Sequence, residues 1–360
     1  MRSVGAIAAT LTATAALVAG CTSARPAPKA STSPGRSQPA TTAISTAGST
    51  AGSTAGSTTA TTAPIDLPPG VLASIAVDTG SAPAPLVYGF GSIWVGTHRG
   101  NTLYRIDPNN DKIIARIDLN QSTCQPIKIG AGRVWTNFCD DSTKELAVDP
   151  QTNQVAGSIK TDTIYGFTGG FGWAASSDGT NSIRFDANTL RTVATIPTWG
   201  VDGAIANGYL WIAGGDPDTA SCNDVITKID PNTGKILARL HTPDTGTSMF
   251  MAAVRGILWL KGAIDDFLVR VDTTTGRASR VAIAHFGFLP AFNDDPPVAD
   301  GSSLWLRTAS ETVTRLNGYS GHPEQAYPAD SSAGGGYVAV GSGSLWIANF
   351  STDTIWRDKN

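Results

Sequence analysis

A unit built around one tryptophan limits what this chain can become more than any other feature. Its clearest copy reads Gly89-Phe90-Gly91-Ser92-Ile93-Trp94-Val95, followed by Leu103-Tyr104-Arg105-Ile106-Asp107-Pro108. Each copy has a Gly-rich turn, a short apolar run carrying the Trp, and a polar loop. A second apolar run then closes on Asp, and after a turn comes a third, such as Ile113-Ile114-Ala115-Arg116-Ile117. Aligned on the Trp, the copies fall at Trp94, Trp135, Trp173, Trp211, Trp259, Trp305 and Trp346, separated by 41, 38, 38, 48, 46 and 41 residues. Short apolar runs between turn residues read as strands. Several of them per unit, at a period of about 40 residues, are the pattern of a β-propeller. The expectation is an all-β fold of seven four-stranded antiparallel blades.

Ring closure is legible too. The last copy runs only through its third strand, Ile355-Trp356-Arg357-Asp358, while Val71-Leu72-Ala73-Ser74-Ile75-Ala76-Val77-Asp78 matches the outer strand of the first copy. The N-terminal strand is therefore expected to complete the last blade and remove the open edges. The repeated residues have structural duties. Asp-Pro places an acceptor and a fixed φ at a turn entry, and a Trp on the second strand fills the wedge between blades. The sixth copy, ending on Asn317, is the weakest.

Residues 1–64 have a different composition. Met1-Arg2, an apolar run and Leu17-Val18-Ala19-Gly20-Cys21 read as a secretory signal over residues 1–20. The Leu-Val-Ala-Gly-Cys ending resembles the bacterial lipobox, which implies lipidation of the Cys21 thiol, cleavage before it and acylation of the new amino terminus. The product would be a lipoprotein held on the extracytoplasmic face of the cell membrane. Residues 21–64, rich in Ser, Thr, Ala, Gly and Pro, cannot bury a core and read as a tether. Its mean reach is about 35–40 Å, at roughly 5–6 Å times the square root of its length. Residues 65–360 form the propeller domain. Charged residues make up 15% of the chain and the net charge is −3. No basic stripe is present to neutralise phosphates, which argues against a nucleic-acid partner.

The repeat resembles the YVTN-type and virginiamycin B lyase-like seven-bladed propellers of bacteria, through Gly-x-Gly-x-x-Trp-[Val/Ile] and Arg/Lys-[Ile/Val]-Asp-Pro, over about residues 69–360. The resemblance implies the fold. For the lyase it further implies a His general base and a magnesium ion held by acidic side chains at the channel mouth.

With strands lettered a to d from the channel outward, the b–c loops and the d–a connections share one face, where several blades converge. His98 and Arg99 fall on a b–c loop there, and His241 and His285 follow outer strands, whereas His322 falls on the other face. Asp140 and Asp141, Asp216 and Asp218, Asp265 and Asp266, and Asp294 and Asp295 lie in the same kinds of connection. The candidate bases are therefore His98, His241 and His285. The candidate binding residues are Arg99, Trp199, Asp216, Asp265, Phe286, Phe288, Asp294 and Asp295. The long connections at residues 214–224 and 284–297 favour a binding recess. Cys124 and Cys139 reach the same face of one blade and are expected to pair, a cross-link worth about 3 kcal/mol in the chain-entropy model. That leaves two readings for Cys222, a free thiol or a substitute partner in the pair. No Ser nucleophile motif, P-loop, dinucleotide fingerprint or zinc-ligand spacing occurs.

Three functions fit these residues. The first is a non-catalytic, membrane-anchored propeller that needs no cofactor and binds an envelope protein or cell-wall ligand through the loop face. The second is a magnesium-assisted, lyase-like enzyme with a His base. The third is a sensor or assembly scaffold that uses the side of the ring.

Overall fold

Where a strand sits in its blade follows from its pattern. Ser92–Thr97 is buried at every position, as a strand covered on both faces must be, while Lys112–Asp118 alternates between exposed and covered, as a rim strand does. The computed structural model describes residues 67–139, 143–216, 221–243, 249–262, 266–283, 295–309, 311–332 and 334–360. Cys21, the signal and the tether lie outside them. Among the described residues no helix is long and apolar enough to cross a membrane.

The first strand, β1 (Val71–Ala76), is an outer one. Blade 1 holds β2 (Pro83–Gly89), β3 (Ser92–Thr97), β4 (Thr102–Asp107) and β5 (Lys112–Asp118). Blade 2 holds β6 (Lys128–Gly130), β7 (Arg133–Asn137), β8 (Lys144–Asp149) and β9 (Gln154–Lys160). Blade 3 holds β10 (Ile164–Thr168), β11 (Phe171–Ala175), β12 (Ser182–Asp186) and β13 (Arg191–Ile196). Blade 4 holds β14 (Asp202–Ala206), β15 (Tyr209–Asp216), β16 (Ser221–Ile229) and β17 (Ile236–His241). Blade 5 holds β18 (Met249–Val254), β19 (Ile257–Gly262), β20 (Phe267–Asp272) and β21 (Ala278–Ala282). Blade 6 holds β22 (Val298–Asp300), β23 (Ser303–Ala309), β24 (Thr312–Asn317) and β25 (Pro323–Pro328). Blade 7 holds β26 (Val338–Gly341), β27 (Ser344–Asn349) and β28 (Thr354–Lys359). Its sheet order is β1-β28-β27-β26, so β1 completes it antiparallel to β28 with Ser74 opposite Trp356 and Ile75 opposite Ile355. Asp353 locks this junction by accepting from Gly80 N at 2.6 Å and Ala82 N at 2.8 Å. The expected seven-bladed propeller, closed by the N-terminal strand, is the observed one.

The wedges between blades form the core. Each of the seven repeat Trp residues is at most 1% exposed and packs on the following blade. Trp94 meets Val134, Leu146 and Val148 of blade 2, Trp211 meets Leu258, Leu260 and Val269 of blade 5, and Trp346 meets Ile93, Val95 and Ile106 of blade 1. The remaining four repeat the arrangement. The indole N–H of Trp94, Trp135, Trp211 and Trp346 donates to the carbonyl five residues earlier, at 3.0–3.2 Å. That carbonyl stands beside the a–b turn. Pairs such as Phe90-Gly91, Asn207-Gly208 and Ser342-Gly343 have positive φ at both residues, the tight hairpin whose twist matches the strands. This is what the glycine before the Trp provides in every blade but the sixth, where Gly301 alone has positive φ.

In five blades a basic residue of the third strand adds a device that the sequence alone does not suggest. Arg105, Arg184, Lys228, Arg315 and Arg357 lie 4.9–5.9 Å from the ring centres of their own blade's Trp. A cation over an indole contributes about 0.5–2 kcal/mol. Blade 6 is irregular, as its sequence suggested. Trp305 Nε1 has no hydrogen-bond partner among the described residues, and its ring leans on Tyr327 at 5.2 Å.

Candidate functional site

The innermost strands β2, β6, β10, β14, β18, β22 and β26 ring the channel, and each begins on the face that carries the b–c loops and d–a connections. Buried charge gathers there. Lys128, at the start of β6, reaches past blade 3 to Asp202 at the start of β14, Nζ to Oδ1 3.1 Å. Asp202 is almost wholly covered and also accepts from Met251 N of blade 5 at 2.9 Å. One carboxylate thereby ties together three blades.

Glu145 is 5% exposed at the inner end of β8. Burial pushes its carboxyl well above the ordinary range and the nearby Asp162 charge adds to this, while Lys128 and the Ile164 N–H pull it down. Tyr165, on β10, donates to Gly200 O of blade 4 at 3.0 Å, and burial raises its phenol. Lys128, Glu145, Asp162 and Asp202 thus set one ammonium among three carboxyl groups from blades 2, 3 and 4. A protonated Glu145 is a hydrogen-bond donor, and the two Asp carboxylates are acceptors.

A second buried charge lies across the ring. Arg307, fully buried on β23, donates to Gly336 O at 3.2 Å and Ala348 O at 3.1 Å of blade 7. Burial lowers its pKa, and the charges of Asp295, Asp330 and Glu311 oppose that shift. Tyr337 donates to Cys124 O at 3.1 Å, joining blade 7 to the connection between blades 1 and 2.

The expected disulfide is present, with Cys124 and Cys139 bridged at 2.01 Å. His98 lies against it, Nδ1 3.0 Å from Cys124 Sγ and 3.7 Å from Cys139 Sγ. The His98 and Phe350 rings are 5.5 Å apart, and Arg99 stands over Phe350 at 5.1 Å. His241 is placed elsewhere, at the end of the outermost strand of blade 4, 65% exposed and 4.0 Å from Asp224. The two described candidate bases therefore do not converge.

Of the expected binding residues, Arg99 is exposed on the loop face, and Trp199 is half-buried in the connection between blades 3 and 4. The backbone beside Trp199 passes so close to β15 that a Cβ on Gly214 would stand 2.5 Å from Trp199 O. Asp295 is 1% exposed and faces Arg307 electrostatically, so its carboxylate lies within the protein. Asp216 belongs to the prolonged β15–β16 hairpin, where it pairs with Ser221, so part of the connection read as a loop is strand. Cys222 lies on the same hairpin. His285, Phe286, Phe288, Asp265 and Asp294 lie outside the described residues.

The mouth residues that sequence reasoning missed are Lys128, Glu145, Asp162, Asp202 and Arg307. A usable signal existed for one of them, Arg307. Two residues after the Trp the copies read Gly96, Asn137, Ala175, Ala213, Lys261, Arg307 and Ala348, so blades 5 and 6 carry a cation where four blades have a small residue.

No protein-family model matches the chain, and no curated protein matches it. Solved structures do. The virginiamycin B lyase from Staphylococcus aureus aligns with a TM-score of 0.62 at 15% identity, over 80% of this chain and 98% of its own. A streptogramin B lyase aligns at 0.59 and 18% identity, over 80% and 97%. BamB from Moraxella catarrhalis aligns at 0.50 and 13% identity, over 80% and 99%. At such identities the likeness is one of fold, and function has to be argued from the site. The chain shares the fold of these structures, which in it is a ring of seven four-stranded blades.

Proposed function

We propose that this chain is a lipid-anchored propeller on the extracytoplasmic face of the cell membrane, which binds a protein or cell-envelope ligand at the mouth of its ring without transforming it. The observation that carries this reading is the cluster of Lys128, Glu145, Asp162 and Asp202, drawn from three successive blades to one end of the channel. Ring closure does not require it. Blades elsewhere meet through Trp wedges, and buried charge costs desolvation that a small apolar contact avoids. Charged groups held in fixed positions in a recess suit the recognition of a polar ligand. The histidines support binding over catalysis. His98 is packed against a disulfide and an aromatic ring, and His241 stands at the rim. Leu17-Val18-Ala19-Gly20-Cys21 supports the anchor, and the Ser/Thr/Ala/Gly-rich stretch after it supports a tether.

The test places a photo-crosslinking side chain at Arg99 or Gln125 beside the mouth, and at Val193 or Leu237 on the rim. In intact cells the mouth positions are expected to yield one discrete adduct, lost when Asp202→Ala is added, and the rim positions none. Adducts from the rim alone would overturn the proposal in favour of a scaffold that uses the side of the ring. Cys21→Ala is expected to move the protein from the membrane to the soluble fraction, and a variant that stays with the membrane would sink the anchor.

A further inference from the structure

We propose that His98, Cys124 and Cys139 form a redox-gated metal site, closed while the two sulfurs are bonded to each other. Once reduced, they bind one zinc ion through two thiolates and an imidazole. The idea does not depend on the ligand-binding reading above.

The observation behind it is the position of the imidazole. His98 Nδ1 is 3.0 Å and 3.7 Å from the two sulfurs, and the three donor atoms lie within 4.8 Å of one another. A disulfide sulfur is a weak hydrogen-bond acceptor, so a ring nitrogen held against it gains little in the oxidised state. The same nitrogen beside two thiolates completes a donor set that zinc favours. Zinc–sulfur bonds of about 2.3 Å and zinc–nitrogen bonds of about 2.0–2.1 Å give tetrahedral edges of about 3.5 Å from N to S and about 3.8 Å from S to S. The two nitrogen–sulfur distances already straddle the required edge. Only the sulfur–sulfur edge must open, since the two sulfurs are bonded to each other.

The three residues keep their places without the disulfide, because the backbone holds each of them. His98 N donates to Ala82 O at 2.9 Å, Thr123 N to Thr97 O at 2.8 Å, and Cys139 N to Ser122 O at 3.0 Å. Tyr337 clasps the Cys124 carbonyl, and Phe350 packs on the His98 ring. Reduction therefore leaves two half-buried thiols beside a fixed imidazole. A dithiol supplies two electrons and two protons, becoming a cyclic disulfide while Cys124 and Cys139 become thiols. Zinc then displaces those two protons, and the fourth coordination position is left to water or an incoming ligand, as in zinc sites that do more than hold a fold together.

The full-length protein is reduced with a phosphine, which takes up a water oxygen as the disulfide becomes two thiols, and is titrated with cobalt(II). The expected result is one cobalt per chain, with thiolate-to-cobalt charge-transfer absorption and the visible bands of a tetrahedral ion, both bleached by zinc. The oxidised protein is expected to show neither. Cys222→Ser is expected to keep the signal, Cys139→Ser to lose the charge-transfer band, and His98→Gln to weaken binding about tenfold or more while circular dichroism stays that of the folded ring. Re-oxidation is expected to expel the ion. A folded, reduced protein that binds no more cobalt than the oxidised form would overturn the proposal, as would undiminished affinity in His98→Gln.

Discussion

On the face that carries the c–d turns, blade after blade repeats one hydrogen bond. The side chains of Asp107, Asp149, Asp186, Asp230, Asp272 and Asn317 each accept from the backbone N–H two residues on, at 2.7–3.1 Å. On the opposite face the described residues make that bond only at Asp118, Asp178 and Asp330, at positions that are not equivalent between blades. Blade 2 sends Lys128 across to Asp202, blade 6 buries Arg307 against blade 7, and blade 1 holds an imidazole against a disulfide. Seven similar copies therefore make one uniform face and one varied face. A turn has few solutions, and every blade needs one. A ring mouth has no folding requirement beyond excluding strain, so its residues are free to differ and to carry function.

The comparison predicts how damage should be distributed. Breaking the uniform framework should cost most. Trp211→Ala removes a fully buried wedge residue and is expected to lower stability by about 3–5 kcal/mol in urea unfolding. A loss below about 1 kcal/mol would mean that the wedge collapses around the gap. Breaking the mouth should cost less and show a different pattern. Lys128→Ala leaves Asp202 covered without its cation, with Met251 N still donating, and is expected to cost about 1–3 kcal/mol. Lys128→Met with Asp202→Asn should recover most of that loss, because no charge is then stranded, while the mouth adduct stays absent. If the double variant is as unstable as the sum of the two singles, the ion pair is not the unit assumed here.

How far the sequence could be read follows the same division. Trp94, Gly91 and Asp107 announce blades because one local geometry recurs at one period, and β1 was recognisable as the missing strand by matching β5. Cys124 and Cys139 could be paired because the blade pattern put both on one face of one blade. The charges at the mouth were not legible, since Lys128 and Asp202 stand 74 residues apart with a whole blade between them. Glu145 reads as an ordinary exposed strand residue until the curvature of the ring brings Asp162 beside it. A position on a loop specifies a face of the ring but not a radius. His241 and His98 share a face, yet one lies at the rim and the other against blades 2 and 7.

The pH dependence sharpens the contrast because Glu145 and the aspartates that open the turns titrate with opposite sign. Glu145 has its pKa raised in the folded state, chiefly by burial. Whatever stability it contributes is complete below its unfolded pKa and is lost as pH rises through the folded value. Glu145→Gln is therefore expected to be more stable than the parent at neutral pH, and the difference should vanish in acid below the ordinary carboxyl range. A variant less stable than the parent at neutral pH would show that the ionised carboxylate is needed. The turn acids run the other way. Asp149, Asp186, Asp230 and Asp272 are held below the ordinary range, first of all by backbone N–H donors. Their contribution is present above the unfolded pKa and is lost as pH falls through the folded one. All four are half-buried in surface turns where solvent screens the charge, so each effect is small. Asp186→Asn keeps an acceptor for the Asn188 and Thr189 N–H groups and removes only the titration. It is expected to leave the neutral-pH unfolding midpoint nearly unchanged and to soften the loss of stability in acid. An equal loss at both pH values would mean that the turn depends on the shape of Asp and not on its charge.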